Sequence, residues 1–461
     1  MSRTILKGGM VLTFINEAYE ATKIQESDIL IDNGLVEEIS PFIQEEQGDE
    51  VVHIPGQMVI PGLINAHNHT LTTAVCRGMT DDYNRENYGG SALYTRVFPL
   101  KRIALEILNE EEIAAILKMA LVEMIQSGAT TVGEQCTGKE FGIFVDLVDE
   151  LGIRASICPM YTSGEHLPEL KETGKIDIGE RKKEMEVLEE NIRLYEQYQG
   201  DAEGRVEIWL GPHAPDSCSQ ELLMETARAA EELDTKIMIH LAQTRIELDK
   251  IRERFGSTPV EYLDKIGFLS SRVVAAHGLF TNNEDQKIIK DNQVNIVHCP
   301  QVFVKGGMIA PFHPYMEKEV TVSLGTDSYA MDMMAEMRMA ALVGKLHTQN
   351  AHSVTASDAF FAATVGGAKA FGRSDLGRLV EGQKADITVI DMQKSHIQPV
   401  AIPVINLVYH VNAADVSYVF VDGKAVKTPQ GIVSGDDRKI VDDGKVVSEK
   451  IWAAARQEGV L

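Results

Sequence analysis

Apolar and polar positions along this chain alternate with two different textures. Up to about residue 57, short apolar runs are broken by glycine turns: Thr4 to Leu6, Met10 to Phe14, Asp28 to Ile31 ahead of Asn33-Gly34, Leu35 to Ile39, and Glu50 to Ile54. The C-terminal part repeats this texture with Ala385 to Asp391, Val416 to Val421 before Asp422-Gly423, and Lys424 to Lys427. Runs of that length bounded by turn residues predict strands. Between the ends, eight near-continuous apolar runs recur, each followed by a helical pattern: Met58 to His67, Ala129 to Gln135, Arg154 to Met160, Val206 to His213, Lys236 to His240, Arg272 to His277, Val294 to His298, and Val320 to Asp327. Continuous apolar strands alternating with amphipathic helices predict a parallel sheet, and eight such units predict an α/β protein built on a (β/α)₈ TIM-like barrel. A doubly wound open sheet fits the same alternation but leaves the placement of the polar residues unexplained. Both chain ends are then expected to build one small β-sandwich domain, residues 1–57 with 374–461, flanking a barrel domain of residues 58–373. Helix starts agree with this parsing: Ser219-Gln220-Glu221 opens one, and Thr281 with Glu284 has capping-box spacing at another.

Composition narrows the classes of function. A chain of 461 residues supports a large core and more than one domain. A formal net charge of -25, with no dense Lys/Arg stretch, argues against nucleic acid as a partner. No apolar run reaches the length of a membrane span, and the N-terminus lacks the pattern of a signal peptide, so the expected location is the cytoplasm, with no membrane partner. The five cysteines (Cys76, Cys136, Cys158, Cys218, Cys299) are scattered and read as reduced thiols.

Six of the eight runs finish in His or Asp: His67 with His69, then His213, His240, His277, His298 and Asp327. In an extended segment the side chains at i and i+2 share a face, so His67 and His69 aim at one point. The C-terminal ends of barrel strands form one rim, which brings all these residues together. Convergent imidazoles plus a carboxylate make a site suited to a divalent ion, Zn²⁺ or Fe²⁺. His67, His69 and His240 are the expected histidine ligands, and Asp327 the carboxylate ligand that also takes the proton of a bound water. His277 is expected to hydrogen-bond and orient that water, whose pKa on zinc falls to about 7.

The phrase Pro61-Gly62-Leu63-Ile64-Asn65-Ala66-His67-Asn68-His69 resembles the signature of the amidohydrolase superfamily. So do His240-Leu241-Ala242-Gln243-Thr244, Ala276-His277-Gly278, Val297-His298-Cys299-Pro300, Leu324-Gly325-Thr326-Asp327 and the closing stretch from Asp375 to Asp386. The likeness is strongest to the branch of methylthioadenosine/S-adenosylhomocysteine deaminases, guanine deaminases and triazine hydrolases. It implies a split β-domain, one catalytic metal on His67, His69, His240 and Asp327, hydrolysis at an sp² ring carbon, and a homodimer. No lysine occurs in Trp209-Leu210-Gly211-Pro212-His213, which favours a mononuclear site over a lysine-bridged pair. His213 matches a position that faces substrate in relatives, although a packed histidine after proline is the plain alternative. His298 is a weaker candidate for substrate contact.

Two departures from the family pattern bear on chemistry. Where deaminases of the branch carry a proton-shuttling Glu, this chain has Gln243, whose amide neither donates nor accepts that proton. Three readings follow: the leaving group needs little protonation, as with chloride or thiolate; Asp327 and His277 carry all proton transfer; or Gln243 binds a ring edge while another acid, such as Glu134 or Glu165, enters the site. Glu247, one helical turn on, reads as an exposed helix residue. The second departure is Lys101 in Val97-Phe98-Pro99-Leu100-Lys101, where nucleoside deaminases of the branch hold ribose with an acid. Lys101 suits a compact or anionic ring, or is a solvated helix-start residue. The segment from Val75 to Arg96, with Arg77, Asp81, Asp82, Tyr83 and Tyr94, is expected either to line the site or to be a solvated loop.

The expected activity is therefore metal-dependent hydrolysis of an amidine-like carbon in a small nitrogen heterocycle, most simply deamination with Gln243 among the catalytic residues. Removal of chloride or thiolate from a triazine-like ring is the alternative, and a catalytically silent assembly protein the non-enzyme one.

Overall fold

The computed structural model describes residues 3–14, 25–79, 93–163 and 181–461. Eight short parallel strands form its centre: β1 (Leu63–Asn68), β2 (Ala129–Glu134), β3 (Arg154–Ile157), β4 (Val206–Ile208), β5 (Ile237–Leu241), β6 (Val273–His277), β7 (Asn295–His298) and β8 (Val322–Leu324). They pair as two four-stranded sheets, β1 to β4 and β5 to β8, each in sequence order. Parallel bridges join the halves at both seams, Leu210 to Ile237 and Asn68 to Asp327, so pairing runs through all eight strands. The seam between β8 and β1 is tight: a Cβ on Gly325 would lie 2.8 Å from the backbone N and O of His67, so glycine is what lets Asp327 approach the His67 backbone.

Every residue of β1, β2 and β3 is buried, polar Thr131, Glu134 and Arg154 included. One buried cluster joins Ile64, Ala66, Trp209, Met238, Val274, Val297 and Phe371, so the centre of the strand assembly is packed with side chains. A larger one packs helices such as Glu110–Gln126 and Gly138–Leu151 outside the strands through Ile125, Phe144 and Val148. Helix starts are capped from the sequence: Ser219 accepts from the Leu222 amide, and Asn109 with Glu112 forms a full capping box. The cap expected at Thr281 and Glu284 sits one residue later. Asn282 and Asp285 cap each other, while the Thr281 hydroxyl bonds Gly278 O and Tyr315.

The run from Met58 to His67 is two strands, not one. Gln57–Pro61 pairs antiparallel with Ile387–Asp391, in a sheet made from the chain ends, and Gly62 then turns the chain into β1. A side chain at Gly62 would run into Thr130, its Cβ falling 2.3 Å from Thr130 Cγ2. The end strands belong to one nine-stranded sheet, with Thr4–Val11 paired to Gln25–Asp32, Glu50–His53 and Gln57–Pro61. Thr4 to Leu6 and the start of Met10 to Phe14, read separately above, are one strand, Thr4–Val11, interrupted by an irregularity between Leu6 and Gly9. Buried Arg154 ties this sheet to β3 through Asp386 at 3.2 Å and Asp422 at 3.0 Å. A C-terminal helix, Asp437–Gln457, had no counterpart in the strand reading and packs on Glu110–Gln126.

Candidate active site

The C-terminal ends of the strands bring His67, His69, His240, His277 and Asp327 together. The ligand atoms of His67, His69 and His240 lie within 4.8 Å of one another, as do those of His67, His277 and Asp327. The imidazoles are held by their Nδ1 atoms. His69 Nδ1 donates to Gln135 O at 2.8 Å, and His240 Nδ1 donates to His213 O at 2.8 Å. His67 Nδ1 points at the Met238 sulfur, 3.3 Å away. A carbonyl oxygen only accepts, so Nδ1 carries the hydrogen in His69 and His240, and Nε2 of the neutral ring is bare.

Those bare nitrogens face each other: His69 Nε2 and His240 Nε2 are 3.1 Å apart. Two lone pairs at that separation repel unless a cation lies among them. Nor does a proton fit easily. Burial first, and neighbouring imidazoles second, hold His67 and His69 well below the ordinary histidine range, and burial holds His240 at about 4. His67 Nε2 is buried with no hydrogen-bond partner. The donor set thus fits a divalent metal: three imidazoles, with the Asp327 Oδ1 atom 4.0 Å from His67 Nε2 and 3.9 Å from His69 Nε2.

Asp327 is itself constrained. Its amide donates to His67 O at 3.0 Å, its carbonyl accepts from the His69 amide at 3.1 Å, and its φ of 57° is left-handed. His277 has a φ of 85°, so both polar groups beside the ligand nitrogens sit on strained backbone. Burial pushes Asp327 up to about 7 against the pull of the Ser328 hydroxyl, and a cation among the imidazoles would draw it down. His277 Nε2 lies 3.8 Å from Asp327 Oδ2, and both its ring nitrogens are buried without a hydrogen-bond partner.

A cleft opens from this cluster, walled by His69, Lys101, His213, His240, Gln243, Asp327 and Ser328 with apolar Leu93, Phe98, Phe303 and Met308. His213 stands in the wall, its Nδ1 2.7 Å from Ser217 Oγ, and its carbonyl orients His240. Lys101 is buried, not a solvated helix-start residue; its ammonium lies 3.3 Å from buried Glu140. His298 is buried against Phe312 with ring centroids 5.0 Å apart, and it is not among the residues lining the cleft.

Gln243 lines the cleft on the turn after β5. Glu247 is buried rather than exposed: its carboxylate accepts from the Ala242 and Gln243 amides, each at 2.7 Å, and Thr244 caps its own amide. Glu134 does not enter the cleft; it bonds Thr70 and Asn68 behind the ligands. Glu165, Asp81, Asp82 and Tyr83 lie outside the described residues, and Arg77 pairs with Glu123. Sequence reasoning missed Met238 and the carbonyl of Gln135. Met238 had a signal, since it stands two residues before His240 on the same strand face.

Comparison with known proteins agrees with this geometry. The model of the Amidohydrolase family matches residues 58–426. A 5-methylthioadenosine/S-adenosylhomocysteine deaminase of Thermococcus sibiricus is 34% identical over 412 residues, 88% of this chain and 91% of that protein. Among solved structures, an adenosine deaminase from Xanthomonas campestris with bound zinc superposes with a TM-score of 0.86 at 22% identity, covering 98% of this chain and 99% of that one. Atrazine chlorohydrolase of Arthrobacter aurescens, complexed with zinc, gives 0.85 at 24% identity, covering 96% and 100%. These two likenesses are of fold. Signature, ligand geometry and family match coincide on the same residues, and the chain belongs to the amidohydrolase family.

Proposed function

We propose that this chain is a metal-dependent hydrolase that deaminates an amidine-like carbon of a nitrogen heterocycle, an aminopurine of the adenosine type being the first substrate to try. The observation that carries the reading is the pair of facing Nε2 atoms on His69 and His240, 3.1 Å apart with both Nδ1 atoms already committed to carbonyls. His67, His69, His240 and Asp327 would hold one divalent ion, zinc before iron. When bound, the ion supplies water activation and positive charge for the transition state.

The chain's own groups do the rest. Asp327 accepts the proton of the attacking water on a carboxylate oxygen, and His277 beside it hydrogen-bonds and orients that water. A C–O bond forms at the ring carbon, the C–N bond breaks, and the proton passes from Asp327 to the departing nitrogen, releasing ammonia. Gln243 contacts the ring edge, and His213 and Lys101 contact the substrate from the cleft wall; His298, expected as a substrate contact, stands behind that wall and is given no part in the reaction. The apolar wall formed by Leu93, Phe98, Phe303 and Met308 supports a flat ring as ligand.

The same reading takes the eight-strand centre as the (β/α)₈ barrel of the expected domain 58–373, with Met58 to Pro61 given instead to the end sheet they pair with. Segments 1–57 and 374–461 then form a composite β-domain whose sheet folds into a small sandwich. It also takes the protein to be a cytoplasmic homodimer.

Metal analysis of freshly prepared protein should find about one tightly bound ion per chain, and aminated purines, pyrimidines, pterins and triazines should be screened for ammonia release. Metal well below one per chain overturns the reading. Gln243 favours one second reading, loss of chloride or thiolate, which needs little protonation. Chloride release from a chlorinated triazine without ammonia from any aminated ring would select it.

A further inference from the structure

Glu134 is a fully buried carboxylate at the end of β2 that the chemistry above does not use. Donors converge on both of its oxygens. The Thr70 amide lies 3.0 Å from Oε1 and 3.1 Å from Oε2, the Thr70 hydroxyl 2.6 Å from Oε2, and Asn68 Nδ2 3.2 Å from Oε2. Asn68 stands between the ligands His67 and His69, and Thr70 directly follows His69. The second half of the Asn68 amide reaches another strand: its Oδ1 accepts from the Thr326 hydroxyl at 3.0 Å, one residue before Asp327. Asn65 closes the connection, its Oδ1 accepting the Thr326 amide at 3.0 Å and its Nδ2 donating to Thr326 Oγ1 at 2.8 Å. Gln135, whose carbonyl fixes His69 Nδ1, is the residue after Glu134.

We infer that Glu134 is a positioning residue for the metal: through Asn68, Thr70 and Thr326 it sets the backbone that aims His67, His69 and Asp327 at one point. All three donors reach Oε2, and the Thr70 amide is shared with Oε1. An amide with its oxygen in the Oε2 place turns its two hydrogens, in the Oε1 place, against the Thr70 N–H that already donates there. The side chain touches no ligand atom and does not line the cleft, so its action is on ligand geometry and not on substrate. Groups that orient metal ligands from behind are typically worth about 10- to 100-fold in metal affinity or activity.

This inference rests on the metal reading above, and the test separates the two. Wild-type protein is stripped of metal, then loaded with Co²⁺ for its visible d–d spectrum and titrated with Zn²⁺ against a chelator. Glu134→Gln should shift the cobalt bands and weaken zinc by about 10- to 100-fold. Thr70→Val, which removes the hydroxyl that donates to Glu134 and accepts from Asn68 Nδ2 at 2.9 Å but keeps the Thr70 amide bond, should move both readouts in the same direction by less, and serves if Glu134→Gln does not fold. Glu336→Gln is the control for losing a buried carboxylate as such: Glu336 bonds Gln301 and lies outside this network. It should lower thermal stability and leave the cobalt spectrum unchanged. A Glu134→Gln protein with wild-type cobalt bands and zinc affinity, destabilised only as Glu336→Gln is, overturns the inference. Wild-type protein that takes up neither ion overturns the metal reading beneath it.

Discussion

The two walls of the cleft are built by different means. On the metal side, His69 and His240 are held at Nδ1 by backbone carbonyls of neighbouring strands, and Asp327 is tied to the His67 and His69 backbone at 3.0 and 3.1 Å. On the other side, Gln243 and Lys101 project from a turn and a helix, among apolar Leu93, Phe98 and Met308. The groups that form the cluster ride on strand ends, and two residues proposed to touch substrate, Gln243 and Lys101, ride on a turn and a helix. The departures from the family pattern, Gln243 and Lys101, both fall on the second wall.

The largest effect expected is on the first wall. His240→Ala removes one of the two facing nitrogens, and bound metal and turnover should fall together, checked by metal content and ammonia release on one preparation. Asp327→Asn keeps the shape but loses the proton acceptor, and kcat should drop about 10²- to 10⁴-fold. If either variant kept its metal and its rate, the division between the walls would be wrong.

Glu247 tests whether the second wall has an anchor of its own. Glu247→Ala leaves the buried Ala242 amide and the half-buried Gln243 amide without their acceptor, a cost of roughly 1–3 kcal/mol for the buried one. A lower Tm and a raised KM with metal content retained is the expected result. Loss of metal instead would mean that the turn after β5 also supports His240, and that the walls are one unit.

Gln243→Glu sharpens the comparison further. It exchanges a ring-edge donor for an anion in a turn already carrying buried Glu247, and kcat/KM for deamination should fall about 10- to 100-fold, the cost of an unmatched polar contact. A rise in rate would show that proton supply to the leaving group limits this chain.

The contrast also explains what was legible in the sequence. Strand-end histidines were readable because a strand has a fixed period: two residues apart means one face, as with His67 and His69 or Met238 and His240. The break at Gly62 was passed over: Pro61-Gly62 is a turn signal, but apolar residues stand on both sides of it, and what separates the two strands is the pairing of Gln57–Pro61 with Ile387–Asp391. Glu247 was misjudged for a related reason. At helical spacing an acid reads as solvated, and its burial depends on two backbone amides of a turn whose course one sequence does not reveal. The cap at Asn282 slipped by one residue because Thr281 and Asn282 are both competent caps, and Tyr315 engages the threonine hydroxyl.

His298 gives the smallest and most conditional effect. It is buried outside the cleft wall with Nε2 unpartnered, and burial, followed by the charge of His347, holds its pKa down from 6.5 to about 3. The unfolded chain therefore takes up a proton below about pH 6.5 that the folded chain refuses until about pH 3. Stability carried by the neutral ring is complete above the unfolded value and is lost as pH falls through that window. At about pH 5.5 the loss from this residue alone is about 1.4 kcal/mol. His298→Asn, which does not titrate, should lose less stability than wild type between about pH 8 and 5.5 by that amount, read from urea unfolding with zinc in excess. Activity at neutral pH should move little, since His298 stands behind the cleft. A pronounced rise in KM for the variant would bring His298 into the substrate wall and redraw the boundary between the two.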